Sequence, residues 1–503
     1  MNYSLMFSAS FLANDGSAQH VSELWGQTGE AWVPGGRLPD FSFAGYHFGE
    51  DPLPEVEVVC SVKDFGAVGD GVHDDTQAFK DAIAQTESGA IFVPPGRYVI
   101  TDILWIRKPN IVLRGASAEQ SVLYCPTPLE TILPDMSQTT TGRPTSNYSW
   151  SGGIVWIKGK YDDAVITLIT ASAQRGDAWL DVASTDGLRV GEVVKVSAHA
   201  DAENTLVDYL YSGDAGDVAK MPTFRAGMRA RIKAIDGQRV ELERSLSFDV
   251  RPEWNPSLKG GGSSVYESGV EELGFEFPNI PYEGHFTEPG YNALAINGAV
   301  NCWVRNVRIF NSDSGIFGGG YNCTFDGVLV ESERETHKGK TGHHGLQVGR
   351  DSVLENFDIR TEFIHDVTVD GFASGNVIKN GRALDMSLDH HRRVPYQNLF
   401  SNLDCGEASN IWRCGGGQSL GKNCAARGTF WRLQAKNNIA PPPSDFGPPS
   451  MNFVGLTTDS PSVLEHDGIW WEAIPPEELT PIELHAAQLA RRLATKHQPS
   501  IAK

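Results

Sequence analysis

A repeat runs through the second half of the chain and restricts the possible folds more than any other feature. Five short segments, in which apolar residues alternate with polar ones, each carry one asparagine or glycine at an equivalent position. These positions, called pivots below, are Asn306, Gly327, Asn356, Asn380 and Asn402, at spacings of 21, 29, 24 and 22 residues. A period of about 20 to 45 residues is typical of solenoids, and the alternation indicates strands with one buried face. The sequence therefore predicts a parallel β-helix, in which each coil adds one strand to a continuous stack.

Two further expectations follow when the coils are aligned on their pivots. Five positions before three of the pivots stand polar residues, Asn301, Asn322 and Asp351, which predicts a ladder of polar side chains at a turn. The single long step, of 29 residues, is seven residues longer than the 22-residue step. We therefore expect a protrusion that contains ESERETHKGKTGHHG, residues 331–345.

Residues 60–100 predict one helix followed by two strands, at 90–93 and 97–100, that are separated by a Pro-Pro-Gly turn. Asp74 or Asp75 is placed to cap the helix. Its apolar face is formed by Ala78, Phe79, Ala82 and Ile83. This segment resembles the N-terminal signature of the pectin-lyase-like superfamily. The resemblance implies an all-β, single-stranded right-handed parallel β-helix whose first open end is capped by this helix, and it implies no particular reaction.

The other segments differ from the repeat. Residues 165–252 contain hairpin-like strands joined by Asp-Gly turns, which predicts a small antiparallel β domain that either walls a groove or decorates the surface. The chain becomes Pro-rich after residue 437, and Thr480, Pro481 and Glu483 predict the start of a C-terminal docking helix. The expected organisation is an N-terminal extension over 1–55, a parallel β-helix over 56–164 and 253–437, the inserted β domain over 165–252, and a Pro-rich tail with the docking helix over 438–503.

Composition narrows the possible partners. The 503 residues carry 63 acids against 42 bases, a net charge of −21, so the surface as a whole does not attract nucleic acid or anionic lipid. The chain has no run of about 18 apolar residues that could cross a membrane. The seven cysteines include no CxxC pair, which favours buried thiols over a disulfide framework or a zinc ribbon. The opening residues lack the positive segment of a secretory signal, so an extracellular location is expected from the function alone.

The strongest functional signal is a concentration of histidines. Six of the fourteen histidines lie between Glu331 and Arg393, where nine Lys and Arg stand against eleven acids in a strongly acidic protein. They are His337, His343, His344, His365, His390 and His391. Groups that change charge near neutral pH are often catalytic when they cluster.

The repeat predicts which of these residues are neighbours on adjacent coils, about 4.8 Å apart. Counted from the pivots, Arg360 aligns with Glu331, and Glu362 with Glu333. In the same way Asp389 aligns with His365, and His390 with Asp366. Such pairs also occur as ordinary cross-strand ion pairs, but four of them beside a histidine-rich protrusion favour a functional surface.

Two reactions use such a surface. In β-elimination from a uronic acid polymer, a cation neutralises the sugar carboxylate, a base removes the C5 proton, and an acid protonates the leaving oxygen. The catalytic candidates for this reaction are Lys338, His343, His344, Arg360, His365 and His390. The groups expected to bind the substrate are Asp389, His391, Arg392 and Arg393. Glycoside hydrolysis instead needs two carboxylates, for which Asp366, Asp385, Asp389 and Asp404 are available.

Resemblance within the superfamily helps to choose between them. The motifs of polygalacturonase-type hydrolases are missing, apart from an approximation at Gly342-His343-His344-Gly345. The window is similar to the chondroitinase B and alginate lyase family, in which an Asn and a Glu-x-Glu pair bind calcium. That resemblance implies Ca²⁺ ligands at Asn301, Glu331 and Glu333, a base at Lys338, and an assisting Arg360 one coil later. It indicates no other cofactor.

The sequence therefore favours a polysaccharide lyase that acts on an anionic, uronic-acid-containing polymer. One alternative is a glycoside hydrolase of the same fold that uses paired carboxylates. A second alternative is a non-catalytic glycan-binding or spike-like protein.

Overall fold

The computed structural model describes residues 19–466 and 468–496, and it is an all-β parallel β-helix. Each coil contributes to two sheets, called the long sheet and the short sheet below. The strands of the short sheet are Leu104–Ile106, Val155–Lys158, Asn292–Val300, Ser314–Tyr321, Gly342–Arg350, Phe363–Ser374 and Leu388–His390, all parallel. A single apolar core fills the space between the sheets, with Ile316, Leu346 and Val367 pointing in from the short one.

The long sheet is parallel except for one antiparallel strand near its end. Its strands in the first part of the chain are Val58–Ser61, Asp70–Asp74, Gly89–Val93, Gly96–Val99, Ile111–Gly115, Ser121–Tyr124, Gly269–Glu271, Gly274–Glu276, Trp303–Phe310 and Thr324–Glu331. They continue with Val353–Glu355, Asp358–Ile359, Val377–Lys379, Arg382–Ala383, Leu399–Asp404, Thr429–Gln434, Asn452–Leu456, the antiparallel Val463–His466, and Ile469–Glu472.

The five pivots are stacked in the predicted register and mark a bend in each long-sheet strand. Their φ angles are between 52° and 71°, the left-handed region that asparagine and glycine tolerate best. The amide of Asn402 donates to Oδ1 of Asn380 at 2.7 Å, so the pivots also bond from coil to coil. The polar turn residues Asn301, Asn322 and Asp351 share this conformation, with φ of 51°, 52° and 46°.

The N-terminal helix spans Thr76–Gln85 and buries the four predicted residues of its apolar face in the β-helix core. Two neighbouring aspartates fix its start. Asp74 accepts a hydrogen bond from the backbone of Thr76 at 3.0 Å, and the buried Asp75 accepts from Val68 and Gly69 in the preceding turn. The remaining short helices are the α-helical Leu129–Ile132 and Thr205–Leu210 and the 3-10 segments Tyr46–Gly49, Val62–Phe65, Asn147–Ser149, Pro252–Trp254 and Gln418–Leu420.

The insert is a six-stranded antiparallel sheet with its own apolar core. Its strands are Val165–Leu168, Trp179–Asp181, Val193–His199, Arg225–Asp236, Arg239–Leu242 and Ser257–Gly260. The last strand lies beyond the predicted boundary at 252, because it pairs with two earlier strands of the insert and not with the β-helix. The insert contacts the β-helix through Phe224, which stacks on Phe372, and Arg229, which donates to Asn322.

The C-terminal region differs from the prediction in two ways. The coils continue past residue 437, because Asn452–Leu456 and Ile469–Glu472 add two more parallel strands; the Pro-rich stretch is a loop between coils. The terminal helix spans Leu484–Lys496 and begins after Glu483, whose carboxylate accepts from the backbone of Ala486 at 3.2 Å.

The outer face of the long sheet is covered by both ends of the chain. Trp25 and Phe41 of the N-terminal extension pack with Leu484 of the terminal helix against Val377 and Leu399 of the sheet. Two small sheets complete the fold, one joining His20–Val21 to Leu479–Thr480 and one joining Met136–Gln138 to Pro144–Ser146. The seven cysteines are free thiols, and no helix in the described part of the chain is long and apolar enough to span a bilayer.

Candidate active site

Five imidazole rings gather beside the short-sheet strands Gly342–Arg350, Phe363–Ser374 and Leu388–His390. They belong to His285, His343, His344, His365 and His391, and are called the histidine cluster below. Neighbouring ring centroids lie between 4.1 and 5.7 Å apart. The shortest of these distances joins His343 to His344, and the longest joins His344 to His391. Only His343 and His344 are adjacent in sequence, so the stacking of the coils brings the other rings of the cluster together.

The short sheet and one preceding loop position these rings. His343 and His344 open their strand, where the amide of His343 donates to the carbonyl of Asp313 at 2.7 Å. His344 is aligned with His365 on the next coil. His285 comes from the loop before strand Asn292–Val300, and that loop is anchored because Gly290 and Tyr291 donate to Oδ2 of Asp313.

Asp389 is the buried anion of the cluster. Its Oδ2 accepts a hydrogen bond from Nδ1 of His391 at 2.8 Å and from the hydroxyl of Thr368 at 3.2 Å, and Oδ1 accepts from the amide of Gly415 at 2.7 Å. Nδ1 of His365 lies 3.5 Å from Oδ2. Burial alone raises the pKa of Asp389, but the adjacent His365 and His391 outweigh it, so the pKa lies well below its usual range. Asp389 is therefore a permanent carboxylate that orients His391.

His343 and His365 are buried imidazoles with nothing to bond to. Among the described residues, neither ring nitrogen of either side chain has a hydrogen-bond partner. Burial lowers the pKa of His365 to about 3, and burial followed by the neighbouring imidazoles lowers the pKa of His343 well below its usual value. Both rings are therefore neutral at pH 7, with lone pairs available to a ligand.

A second carboxyl group lies behind His343. Glu288 is buried, accepts the hydroxyl proton of Tyr282 at 2.5 Å, and has Oε1 3.7 Å from Nδ1 of His343. Burial raises the pKa of Glu288 to about 7. Glu288 thus stands behind His343 much as Asp389 stands behind His365.

The cluster opens to solvent at His285, which is exposed, and at His391, whose side chain is 24% exposed. Two cationic side chains lie close enough to influence the rings: Arg143 helps to lower the pKa of His285, and Arg413 that of His365. The stem of Arg392 passes Gly416 beside His391. Burial lowers the pKa of His285 to about 4, whereas Asp389 outweighs burial at His391 and raises the pKa of that imidazole. An anion that enters here meets the neutral ring of His285, the more basic ring of His391 and guanidinium groups.

The structure brings five of the predicted residues together: His343, His344, His365, Asp389 and His391. The predicted contact of His365 with Asp389 is present, although the strands align Thr368 with Asp389. Arg360 pairs with Glu331 at 3.1 Å, as the repeat predicted.

Several other predicted residues lie outside the cluster. His390 packs among Phe400, Phe430 and Phe446 in the core, because it points to the opposite face of the strand from Asp389. Its predicted neighbour Asp366 instead accepts hydrogen bonds from Ser387 and from the backbone of Phe363.

The predicted cations are engaged elsewhere. Arg360 also pairs with Asp358, and Glu331 pairs with Arg308 as well, so these charges neutralise one another along the long sheet. Lys338 is exposed in the protruding loop. Arg392 donates to the carbonyl of Gly421 at 2.5 Å, and Arg393 pairs with Asp370. Glu362, which the repeat aligns with Glu333, forms its ion pair with Lys340.

The residues implied as calcium ligands are not brought together. Asn301 precedes strand Trp303–Phe310 and donates to Glu267, whereas Glu331 aligns with Phe310 at the other end of that strand, beyond the bend at Asn306. Glu331 is already paired with two arginines, and Glu333 is exposed. The three side chains do not fit one calcium ion.

Sequence reasoning missed His285, Tyr282, Glu288, Arg143 and Arg413. The first three lie in a loop outside the aligned repeat, and the two arginines lie in segments that the repeat does not connect to the histidines. The only signal available was the density of His, Tyr and Glu in YEGHFTEPG, residues 282–290.

A large surface concavity lies elsewhere, over Gly159–Ala164 and Gly298, with a volume of about 580 Å³. Its ionisable groups are Lys160, Tyr161, Asp162 and Asp163. Burial raises the pKa of Tyr161 far above neutral pH, so its hydroxyl stays protonated. It offers no oriented imidazole, so the histidine cluster remains the better candidate on chemical grounds.

Comparisons with known proteins match parts of the chain. Residues 59–149 match the family model described as rhamnogalacturonase A/epimerase, pectate lyase-like. The plasmin and fibronectin-binding protein A of Streptococcus pneumoniae is 32% identical over 121 residues, 21% of this chain and 16% of that protein. The mannuronan C5-epimerase AlgE6 of Azotobacter vinelandii is 33% identical over 97 residues, 18% of this chain and 11% of that protein. The chain thus spans less than a fifth of the length of either relative.

Among solved structures, the tailspike protein gp49 from Pseudomonas phage LKA1 aligns with a TM-score of 0.43 at 14% identity, covering 76% of this chain and 65% of that one. The matched N-terminal segment, its capping helix and the two-sheet parallel stack agree with the signature that residues 60–100 predicted. Residues 59–149 thus match a pectate lyase-like family model, and the described chain has the parallel β-helix fold that the N-terminal signature implied.

Proposed function

We propose that this protein acts on an anionic polysaccharide as a lyase, by β-elimination from a uronic acid residue. The observation that carries the proposal is the His391–Asp389 pair, a partly exposed imidazole oriented by a buried carboxylate, with Arg413 near the adjacent His365. That arrangement is what removal of a proton next to a carboxylate requires.

The chemistry assigns one role to each group. Asp389 accepts a hydrogen bond from the protonated Nδ1 of His391, so Nε2 of that ring is the unprotonated nitrogen that acts as the base. The base removes the C5 proton of the uronate, the C4–C5 double bond forms, and the bond from C4 to the glycosidic oxygen breaks. The imidazolium so formed returns its proton to the departing oxygen, so atoms and charges balance.

Removing a proton from C5 becomes easier when the adjacent carboxylate is neutralised. Arg413, which donates to the carbonyl of Phe363, supplies positive charge near His365, and Arg143 supplies it near His285. The mannuronan C5-epimerase relative is named for a reaction at the same carbon, which supports substrates of this class. An epimerase would return the proton to the opposite face of C5 and leave the chain intact.

Hydrolysis receives less support from the geometry. Of its four candidate carboxylates, Asp366 accepts from Ser387, Asp385 from Ser409, and Asp389 from His391. The fourth, Asp404, is exposed and accepts from the backbone of Gly406. None of these pairs leaves two free carboxylates facing one another across a groove.

The test is a panel of uronic acid polymers, with near-ultraviolet absorbance and reducing ends followed together. Growth of both signals, lost by about 10²-fold or more in His391→Ala, is the expected result. The matched control is His20→Ala, which removes an exposed histidine paired only with Glu478. Reducing ends without absorbance would indicate hydrolysis, inversion at C5 without scission would indicate an epimerase, and binding without any product would indicate a glycan-binding protein; each result overturns the lyase.

A further inference from the structure

We propose that His285, His343 and His365 bind one divalent transition-metal ion of the Zn²⁺ class at the opening of the histidine cluster. One ring nitrogen from each of the three residues lies within 4.8 Å of those of the other two. The three come from three separate segments: the loop before strand Asn292–Val300 and the first residues of the adjacent strands Gly342–Arg350 and Phe363–Ser374.

The spacing is close to that of a metal site. Nitrogen ligands about 2.0–2.1 Å from a tetrahedral ion lie about 3.4 Å from one another. Moving from the present spacing to that one requires each ring to shift by about 1 Å, within the reach of small side-chain rotations. His285 is the exposed member and the one with most freedom to adjust.

The buried members point to a ligand on their own account. His343 and His365 are 1% and 3% exposed, and in the described part of the chain neither has a hydrogen-bond partner on either nitrogen. Burying a polar group without a partner destabilises a fold, and proteins seldom leave two such groups side by side. A metal ion that takes one nitrogen from each ring removes most of that cost.

The groups behind the rings match those that support metal-bound histidines. Nδ1 of His343 lies 3.7 Å from Glu288, and Nδ1 of His365 lies 3.5 Å from Asp389. A carboxylate behind Nδ1 fixes the ring so that Nε2 faces the ion, the usual arrangement in histidine metal sites. The proposed ion therefore has both its direct ligands and their orienting partners in this chain.

Ligand type selects the ion. Imidazole favours Zn²⁺ and neighbouring transition metals, whereas Ca²⁺ and Mg²⁺ prefer oxygen ligands. Because His285 lies at the surface, a fourth position faces solvent, as in sites that bind a substrate oxygen. The ion's task, to hold the uronate carboxylate, rests on the proposed function; its binding does not.

The alternative set of His365, Asp389 and His391 also lies within 4.8 Å. We place the ion on the other side of His365, because Asp389 already accepts hydrogen bonds from three groups, including the backbone of Gly415. His391→Ala separates the two sets, since it removes a ligand from the alternative alone.

The experiment is titration of chelator-stripped full-length protein with ZnCl₂ by calorimetry, and with CoCl₂ by visible absorption, which reports the geometry around the ion. We expect one equivalent to bind. His285→Ala should weaken binding at least tenfold and His365→Gln should abolish it, while His391→Ala and the control His20→Ala leave it within twofold. Circular dichroism and thermal melting confirm that each variant folds.

Absence of stoichiometric binding would overturn the inference, as would binding that His285→Ala and His365→Gln both leave unchanged. Binding lost in His391→Ala but kept in His285→Ala would move the ion to the alternative set and overturn the assignment made here. Uronate elimination that persists in stripped protein lacking any zinc affinity leaves the proposed function standing while the metal inference fails. Stoichiometric zinc binding without cleavage of any polymer gives the reverse result.

Discussion

At the scale of single residues, Gly415 determines how closely the imidazoles approach Asp389. Its amide donates to Oδ1 of that carboxylate, and a Cβ atom at this position would lie 2.3 Å from Cε1 of His391 and 3.1 Å from Cε1 of His365. The backbone at Gly415 is not in the left-handed region, so the requirement for glycine is one of space alone.

Gly415→Ala should therefore push His391 away from Asp389 and lower polymer cleavage about tenfold or more, with little loss of thermal stability. A displacement of a catalytic group by about 1 Å can lower the reaction rate by about 10²-fold. The control is Gly262→Ala, where a new Cβ meets no atom within 4 Å. Unchanged cleavage in Gly415→Ala would show that the position of His391 does not limit the reaction.

Register explains which neighbours the sequence was able to predict. On the long sheet the pivots fix the alignment, so the Glu331–Arg360 pair follows from counting. On the short sheet the loops between sheets differ in length from coil to coil, and the alignment shifts by three residues, pairing Thr368 with Asp389. His285 could not be predicted from the repeat, because its loop lies outside the aligned coils.

At the scale of elements, each pivot joins a bend in its own strand to a bond with the next coil. Asn380 has a φ of 54°, accepts from Asn402 at 2.7 Å and donates to Glu483 of the C-terminal segment. The repeat predicted the coils from these asparagines, and the structure adds that they are left-handed corners.

Two substitutions separate the strain from the hydrogen bonds at this corner. Both Asn380→Gly and Asn380→Ala lose the side-chain bonds and must adopt the left-handed backbone, which costs alanine about 1–2 kcal/mol and glycine almost nothing. Asn380→Ala should therefore be the less stable variant by about that amount in chemical unfolding. Equal midpoints would show that the corner relaxes without cost.

The terminal helix carries an acid-sensitive residue. The prediction from Thr480 and Pro481 placed its start too early because the carboxylate of Glu483 provides the cap, and the buried face consists of Leu484, His485 and Gln488. Burial, followed by repulsion from Lys379 and Arg492, lowers the pKa of His485 to about 3. The unfolded chain has the ordinary pKa of about 6.5, so protonation favours unfolding as the pH falls from 6.5 towards 3.

His485→Gln should remove this contribution. The free energy of unfolding of the natural protein should decrease by up to about 1.4 kcal/mol per pH unit more steeply than that of the variant below pH 6.5. Thermal melts at pH 7 and pH 5 provide the comparison. Parallel losses in the two proteins would mean that His485 stays neutral, or is already charged, in both states.

At the scale of the whole molecule, the two ends of the chain lie away from the histidine cluster, whereas the insert reaches it. The extension and the terminal helix cover the outer long sheet, through Trp25 and Leu484. The insert packs near Phe372, and its Tyr211 accepts a hydrogen bond from the backbone of Val394, three residues after His391. It also bonds to the loop that contains Gly415, because the amide of Gly421 donates to the carbonyl of Asp217. Of the two roles that the sequence left open for the insert, this position agrees better with a wall beside the cluster than with a surface attachment.

The net charge of −21 sets the last requirement, because a polyanion is repelled by most of this surface and must be held by a local cationic patch. Arg143 is exposed beside His285, so Arg143→Ala should raise KM severalfold with kcat nearly unchanged. The exposed Arg189 of the insert, replaced by alanine, is the matched control and should leave KM unchanged.

Since the Debye length falls from about 10 Å at 0.1 M salt to about 3 Å at 1 M, the difference in KM between Arg143→Ala and the natural protein should shrink as salt is added. A KM difference that is the same at every salt concentration would mean that Arg143 acts through packing and not through its charge.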